Sequence, residues 1–230
     1  MKALVYTGPN NVVFRDEPDP VPGSDEIVVR VDAVGICGSD MHGYHGHDDR
    51  RPPPLILGHE ASGRVVSGPR AGRRVAVNPL VTCGVCGVCL DGRSQLCGSR
   101  QIISMMPRPG AFAEMVRVPE RNVVELPDRF DIVTAALAEP VAVSYHAVLR
   151  GVRVLARPVS GARCVVLGGG AIGLAAALVL AMLGAGEILV GEQNAGRRAT
   201  VANAGAFKVY KPGGPDEPKD SSAELVKTSL

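Results

Sequence analysis

The sequence predicts an α/β multidomain chain, with a β-rich domain over residues 1–147 and a parallel α/β domain over residues 148–230. Three observations carry this. Short Val-rich or alternating runs, set apart by Gly/Pro clusters, fill the first part. Apolar strand, helix and strand lengths alternate in the second. The 28 Gly and 18 Pro supply turns for many short elements.

In the first part, residues 3–6, 11–15, 27–34, 61–66, 74–77 and 112–118 read as strands. Strands so short and so punctuated suggest a small barrel or sandwich. Residues 39–43 and 131–149 read as helical, with Pro140 as the breaker in the longer one. Further on, 164–167 is an apolar strand, 171–183 an apolar helix, 187–190 a strand, 197–204 a helix and 207–210 a third strand. Residues 211–220 form a charged, Pro/Gly-rich link, and 221–230 begins one more helix capped by Ser221 or Ser222.

Composition narrows the function. Apolar residues make up 46% of the chain, enough for a buried core. The net charge of +2, with both signs scattered, argues against nucleic acid or an anionic membrane as main partner. Trp is absent and aromatics are scarce, which does not encourage ligand capture by stacking. The uncharged stretch between Arg163 and Glu187 is long enough to raise a membrane span. Gly168-Gly169-Gly170 and Gly184-Ala185-Gly186 divide it into strand, helix and strand, so no span is expected. The N-terminus lacks the apolar stretch of a secretory leader, and the expected location is the reducing cytoplasm.

Six cysteines stand at 37, 83, 86, 89, 97 and 164. The run Cys83-x2-Cys86-x2-Cys89-x7-Cys97 lets four thiolates converge on one tetrahedral ion, a structural zinc with no open position. Unpaired thiols and a nucleic-acid zinc ribbon are the competing readings. Ribbons pair two knuckles across a longer gap, and the aromatic residues that bind bases are missing. Cys37, the Gly58-His59-Glu60 triplet and Glu139 are weak signals singly, since a lone Cys or His is usually a packed residue. Together they offer sulfur, nitrogen and carboxylate, which with a water suits a catalytic zinc.

Gly168-x-Gly170-x-x-Gly173 follows the strand 164–167 and opens a helix, and Glu192 stands 19 residues beyond Gly173, at the end of the next strand. Such glycines let a pyrophosphate approach the backbone, and the acid accepts from a ribose 2′-hydroxyl. Glu192 favours NAD over NADP; Arg197 and Arg198 keep NADP open, or simply form a solvated helix face. His45 and His47 read as substrate-mouth residues or as a polar loop. His146 reads as structural, and Cys164 as inert core.

Gly35-Ile36-Cys37-Gly38-Ser39-Asp40-Met41-His42, then Gly58-His59-Glu60, then the four-cysteine run, then Ala138-Glu139-Pro140 occur in the order found in one family. The chain resembles the zinc-dependent medium-chain dehydrogenase/reductases, the alcohol dehydrogenase family, closest to their sorbitol- and threonine-dehydrogenase-like branch. The resemblance covers residues 1 to about 210 and implies a GroES-like barrel followed by a partial Rossmann domain. It implies Cys37 and His59 as catalytic-zinc ligands, with Glu60 beside the metal as an alternative ligand and catalytic group. Glu139 matches a position that is Cys in ethanol-oxidising relatives and Glu in polyol-oxidising ones. Carboxylate for thiolate makes the site harder, so a secondary alcohol or polyol is the implied substrate. Ser39 matches the hydroxyl that touches the substrate oxygen, and His42 a proton-relay histidine one helical turn on. A helix cap and a solvated surface residue are the plainer readings of these two.

The implied protein carries two zinc ions per chain and passes a hydride from the alcohol to NAD, giving a ketone. Relatives form dimers or tetramers, which leaves a homo-oligomer open here. Two departures stand out. The loop after His59 is short, with Arg73 in a usually acidic place. The cofactor domain has strands 1–3 only, of about six in order 3-2-1-4-5-6, which implies a C-terminal truncation and leaves the strand 164–167 at an edge. The alternative function is then an inert zinc-binding remnant or binding module.

Overall fold

A computed structural model of the chain describes residues 1–217 and the strand Glu224–Lys227. The chain divides into two compact units, Met1–Glu139 and Pro140–Leu230.

In the first unit, β1 (Lys2–Gly8) and β2 (Asn11–Asp16) form an antiparallel hairpin, and α1 (Gly38–Tyr44) follows β3 (Glu26–Gly35). The short strand β4 (Leu55–Ile56) pairs on the far side of β1. A second sheet joins β5 (Glu60–Val65), β6 (Arg74–Val77), β9 (Met115–Pro119) and β10 (Val123–Glu125) to β3, in the antiparallel order β10-β6-β5-β3-β9. The valine-rich runs bury Val29, Val65, Val75, Val77, Val116 and Val118 in one cluster, which is why these segments are strands. Between β6 and β9 a lobe carries α2 (Gly87–Leu90), and its neck is closed by the pair β7 (Leu80–Val81) and β8 (Gln101–Ile102).

The β3–β5 pairing places the site. Gly35 stands opposite Glu60, so the chain leaves β3 for Cys37 where it enters β5 from His59. The Ser62 hydroxyl, on β5, donates to the Ile132 carbonyl and anchors the segment that leads to Glu139.

The helix α3 (Ala138–Val152) runs from the last two residues of the first unit into the second, which continues through β11 (Arg163–Leu167), α4 (Ala171–Met182), β12 (Glu187–Gly191), α5 (Ala195–Ala204), β13 (Lys208–Tyr210) and β14 (Glu224–Lys227). The strands are parallel in the order β13-β12-β11-β14. Cys164, Val166, Ala176, Leu180, Val190 and Val201 pack together, so Cys164 lies in the core.

Three expectations need correction. Part of 221–230, expected as a helix, is the strand β14, and the rest of that segment lies outside the described residues. It makes a fourth strand where three were expected, and β11 is internal, because β14 supplies the ladder that its unpaired edge lacked. The division between units falls at Glu139/Pro140 and not at 147, because Val148 of α3 packs into the second core. Among the described residues no helix is long and apolar enough to cross a membrane.

Candidate metal centres and glycine loop

Ligand atoms of Cys37, His59 and Glu60 all lie within 4.8 Å of one another. Cys37 is the residue before α1, and its N–H donates to Asp40 Oδ2 at 3.0 Å. Asp40 is 2% exposed, and its other oxygen accepts from Gly58 N–H at 3.1 Å. One buried carboxylate thus grips the backbone beside two members of the trio. Glu60 folds over Gly35, where a Cβ would stand 2.1 Å from Glu60 Oε2. The register of β3 and β5 therefore needs glycine at 35 for Glu60 to reach the group.

Electrostatics couple these residues. Burial opposes charge on His59, but the adjacent Asp40 and Cys37 outweigh it and raise the imidazole to about 10. His59 in turn lowers the Cys37 thiol, against burial. Burial pushes up the Glu60 carboxyl. It does the same to Glu139, where Glu60 and Asp40 add to the rise and His59 opposes it. Glu139 feels the charges of the group but is not within its 4.8 Å set, which holds Glu60 instead.

A metal ion fits this donor set. His59 Nδ1 is buried without a hydrogen-bond partner, 3.6 Å from Asp40 Oδ1. A histidine that ligates through one ring nitrogen carries its proton on the other, facing such a carboxylate. Thiolate, imidazole and carboxylate together are zinc ligands.

The four-cysteine lobe is more explicit. Sulfur separations are 3.5 Å for Cys86–Cys89, 3.6 Å for Cys97–Cys83, 3.9 Å for Cys83–Cys89 and 4.0 Å for Cys86–Cys97. Four sulfurs around one zinc at about 2.3 Å stand about 3.8 Å apart. N–H groups of Val85 and Cys86 lower the Cys83 thiol to about 6, while, against the Cys89 N–H, the neighbouring thiols raise that of Cys86 to about 11, so one thiolate forms readily and a bound ion would displace the proton of the other.

In the second unit, β11 leads through Gly168, at φ +100°, and Gly170 into α4. A Cβ at Gly173 would lie 1.8 Å from the Gly168 carbonyl oxygen, so the helix closes onto the loop only with glycine there. Glu192 follows β12 and is buried, its oxygens accepting from Gly169 N–H at 2.8 Å and Asn194 N–H at 2.7 Å. These N–H donors, that of Asn194 foremost, lower its carboxyl below the usual range. Arg198 Nη1 donates to the carbonyls of Glu192 and Gln193, whereas the Arg197 side chain is exposed.

The remaining expected residues fall on α1 and its exit. Ser39 Oγ stands 3.4 Å from Arg51 Nη2, and His42 is exposed one turn on. His45 hydrogen-bonds Asn10 Oδ1 at 2.6 Å, and His47 is exposed. Asp40, Arg51 and Ser104 are buried polar residues about the site that sequence reading passed over. The signal for Asp40 is a carboxylate in the first turn of a helix that begins at a ligand.

Known proteins resemble this chain in sequence and fold. The family model "alcohol dehydrogenase GroES-like domain" matches residues 23–128. Sorbitol dehydrogenase of Bacillus subtilis is 36% identical over 199 residues, 83% of this chain and 55% of that protein. A protein of Sinorhizobium meliloti 1021 assigned as a zinc-binding dehydrogenase, solved with NADP, superimposes with a TM-score of 0.81 at 34% identity. It is matched over 94% of this chain and 63% of its own. A short chain alcohol dehydrogenase of Escherichia coli CFT073, solved with NADH, gives a TM-score of 0.83 at 28% identity, again over 94% and 63%. The chain thus spans between 55% and 63% of the length of these proteins.

Proposed function

Because the chain belongs to the zinc-dependent medium-chain dehydrogenase/reductase family, we propose that its centres serve NAD-dependent oxidation of a secondary alcohol or polyol to a ketone. Cys37, His59 and Glu60 would hold a catalytic zinc, with Glu139 as a nearby carboxylate. Cys83, Cys86, Cys89 and Cys97 would hold a second, structural zinc. When bound, the first zinc supplies a Lewis acid that lowers the pKa of an alcohol hydroxyl.

The chain's own residues do the rest. Asp40 orients the His59 ring. Ser39 meets the substrate hydroxyl and accepts its proton as its own passes on towards His42, which releases one proton to solvent. The peptide groups of Gly168 and Gly170 receive a pyrophosphate, with Gly173 keeping α4 close. Glu192 accepts from the adenosine 2′-hydroxyl and repels a 2′-phosphate, which favours NAD. Exposed Arg197, at the start of α5, is the residue that would serve NADP. A carboxylate in place of a second thiolate leaves more positive charge on the ion, which suits a secondary alcohol. The relative named sorbitol dehydrogenase supports the polyol class.

What supports this most is the convergence of a thiol, an imidazole and a carboxylate at facing ends of β3 and β5, backed by a buried aspartate. The test measures zinc content and NAD binding of the 230-residue chain, and NADH formation from a panel of polyols, with and without a chelator, by a protein as long as the relatives. Two zinc ions and NAD binding are expected of this chain, and chelator-sensitive turnover of the longer protein. No zinc at the Cys37 centre, or a zinc-loaded longer protein that oxidises none of the panel, would overturn the proposal.

A further inference from the structure

Arg51 is a buried charge that the mechanism above does not use. It is 3% exposed, and a guanidinium remains charged in any protein setting. Nη1 pairs with the carboxylate of Asp48, itself buried. Nε donates to the Ser104 carbonyl at 3.1 Å, and Nη2 faces Ser39 Oγ at 3.4 Å. The sequence makes room for it: a Cβ at Gly43, inside α1, would lie 2.9 Å from Arg51 Cδ. Glycine within a helix is otherwise unfavourable.

Asp48 shares its carboxylate between Arg51 and Arg50, whose Nε lies 2.8 Å from Oδ1, and the other two contacts give the remaining buried N–H donors their acceptors and set where the fork points. They tie the chain leaving α1 to both sides of the Cys37–His59–Glu60 group. Ser104 Oγ lies 3.4 Å from Asp40 Oδ1, and Asp40 backs His59. A serine hydroxyl has one proton and two lone pairs, and left alone it rotates among three staggered positions. A fixed donor on one lone pair restricts that rotation.

We infer that Arg51 is a positioning residue that, by donating to Ser39 Oγ, fixes the hydroxyl at which an alcohol substrate binds. The inference rests on the dehydrogenase reading above and extends it to a residue remote from the ligand motifs. Lysine at 51 keeps the ion pair with Asp48 but lacks the planar fork that reaches Ser39 and Ser104 together.

The test loads the full chain with Co(II), whose spectrum at a thiolate-containing site changes when its ligand sphere changes. Sorbitol and 2-propanol are titrated into the wild type, Arg51→Lys, Ser39→Ala and the double variant, and melting curves check each fold. Arg51→Lys is expected to weaken alcohol binding roughly fivefold, the worth of one hydrogen bond, while cobalt uptake is unchanged. The double variant should bind no more weakly than Ser39→Ala alone, because Arg51 acts through that hydroxyl. If Arg51→Lys fails to melt cooperatively, Asp48→Asn/Arg51→Gln, which removes both buried charges, takes its place in the cycle. Unchanged alcohol affinity, or a loss that adds in full to that of Ser39→Ala, would overturn the positioning role and leave the dehydrogenase reading intact. A wild-type spectrum indifferent to alcohol sinks that reading, and the role of Arg51 with it.

Discussion

Gly35→Ala isolates the part played by Glu60. The new Cβ would stand 2.1 Å from Glu60 Oε2 and 3.1 Å from Glu60 Cβ. The second contact is relieved by a small adjustment. The first requires the carboxylate oxygen to retreat by about 1 Å, several times the roughly 0.2 Å that a metal–ligand distance tolerates. Because that oxygen ends a flexible side chain, it moves before the strands do, and β3 and β5 keep their pairing. Cys37 and His59 stay, while Glu60 leaves the group. Zinc affinity at this centre should fall roughly 10- to 100-fold, comparable to the loss of a supporting group, and the four-cysteine lobe should be untouched. Competition against a zinc indicator separates the two classes of ion. Two unchanged affinities in a folded Gly35→Ala chain would show that Glu60 is no ligand and that Glu139 takes its place.

Cys97 is 0% exposed and stands 3.6 Å from the Cys83 sulfur, so Cys97→Ser should cost one zinc per chain and open the lobe to proteolysis; full zinc content by elemental analysis refutes this. Gly173→Ala puts a Cβ 1.8 Å from a backbone oxygen, which no side-chain motion relieves. Calorimetric binding of ADP-ribose should disappear, and retained affinity would mean that the loop is not a pyrophosphate site. His59 titrates at about 10 in the metal-free chain, so it is protonated at neutral pH and zinc must displace that proton. Affinity at the Cys37 centre should therefore rise with pH, about tenfold per unit from roughly pH 6 to 8; a flat profile contradicts the assigned proton.

What the sequence revealed depended on how local the information was. The lobe and the glycine loop are written in short spacings, since neighbouring residues must surround one ion or one phosphate. Cys37 and His59 are distant in sequence, and only their neighbouring motifs mark them. That Glu60 lies within the 4.8 Å group was not legible, because it follows from the Gly35–Glu60 register, a property of two paired strands. Arg51 precedes three prolines, a context with no mark of burial, and it is Gly43, eight residues back, that gives it a buried seat. Elements of two residues such as β4, β7 and β8 hold too little pattern to be seen. The strand Glu224–Lys227 has no alternation of its own, and its state is decided by the open edge of β11.

Charge balance gives the deeper reason to expect metal at both centres. Cys37, Asp40, Glu60 and Glu139 bring four acidic groups around one imidazole. Among the described residues Arg51 forms no ion pair with any of them; it pairs with Asp48, which Arg50 also holds. Apolar side chains of the same volume would be at least as stable in a core built only for folding. A divalent cation makes the arrangement favourable, because it cancels the excess and is often the largest charge in such a site. The lobe reaches the same conclusion by another route. Its helix α2 buries no residue, and Val85 and Leu90 are 77% and 74% exposed. With so little apolar surface removed from water, ordering that loop costs more than its own packing returns. What remains to hold it is four sulfurs at tetrahedral spacing, and zinc is the ion whose ligand preference and geometry they match.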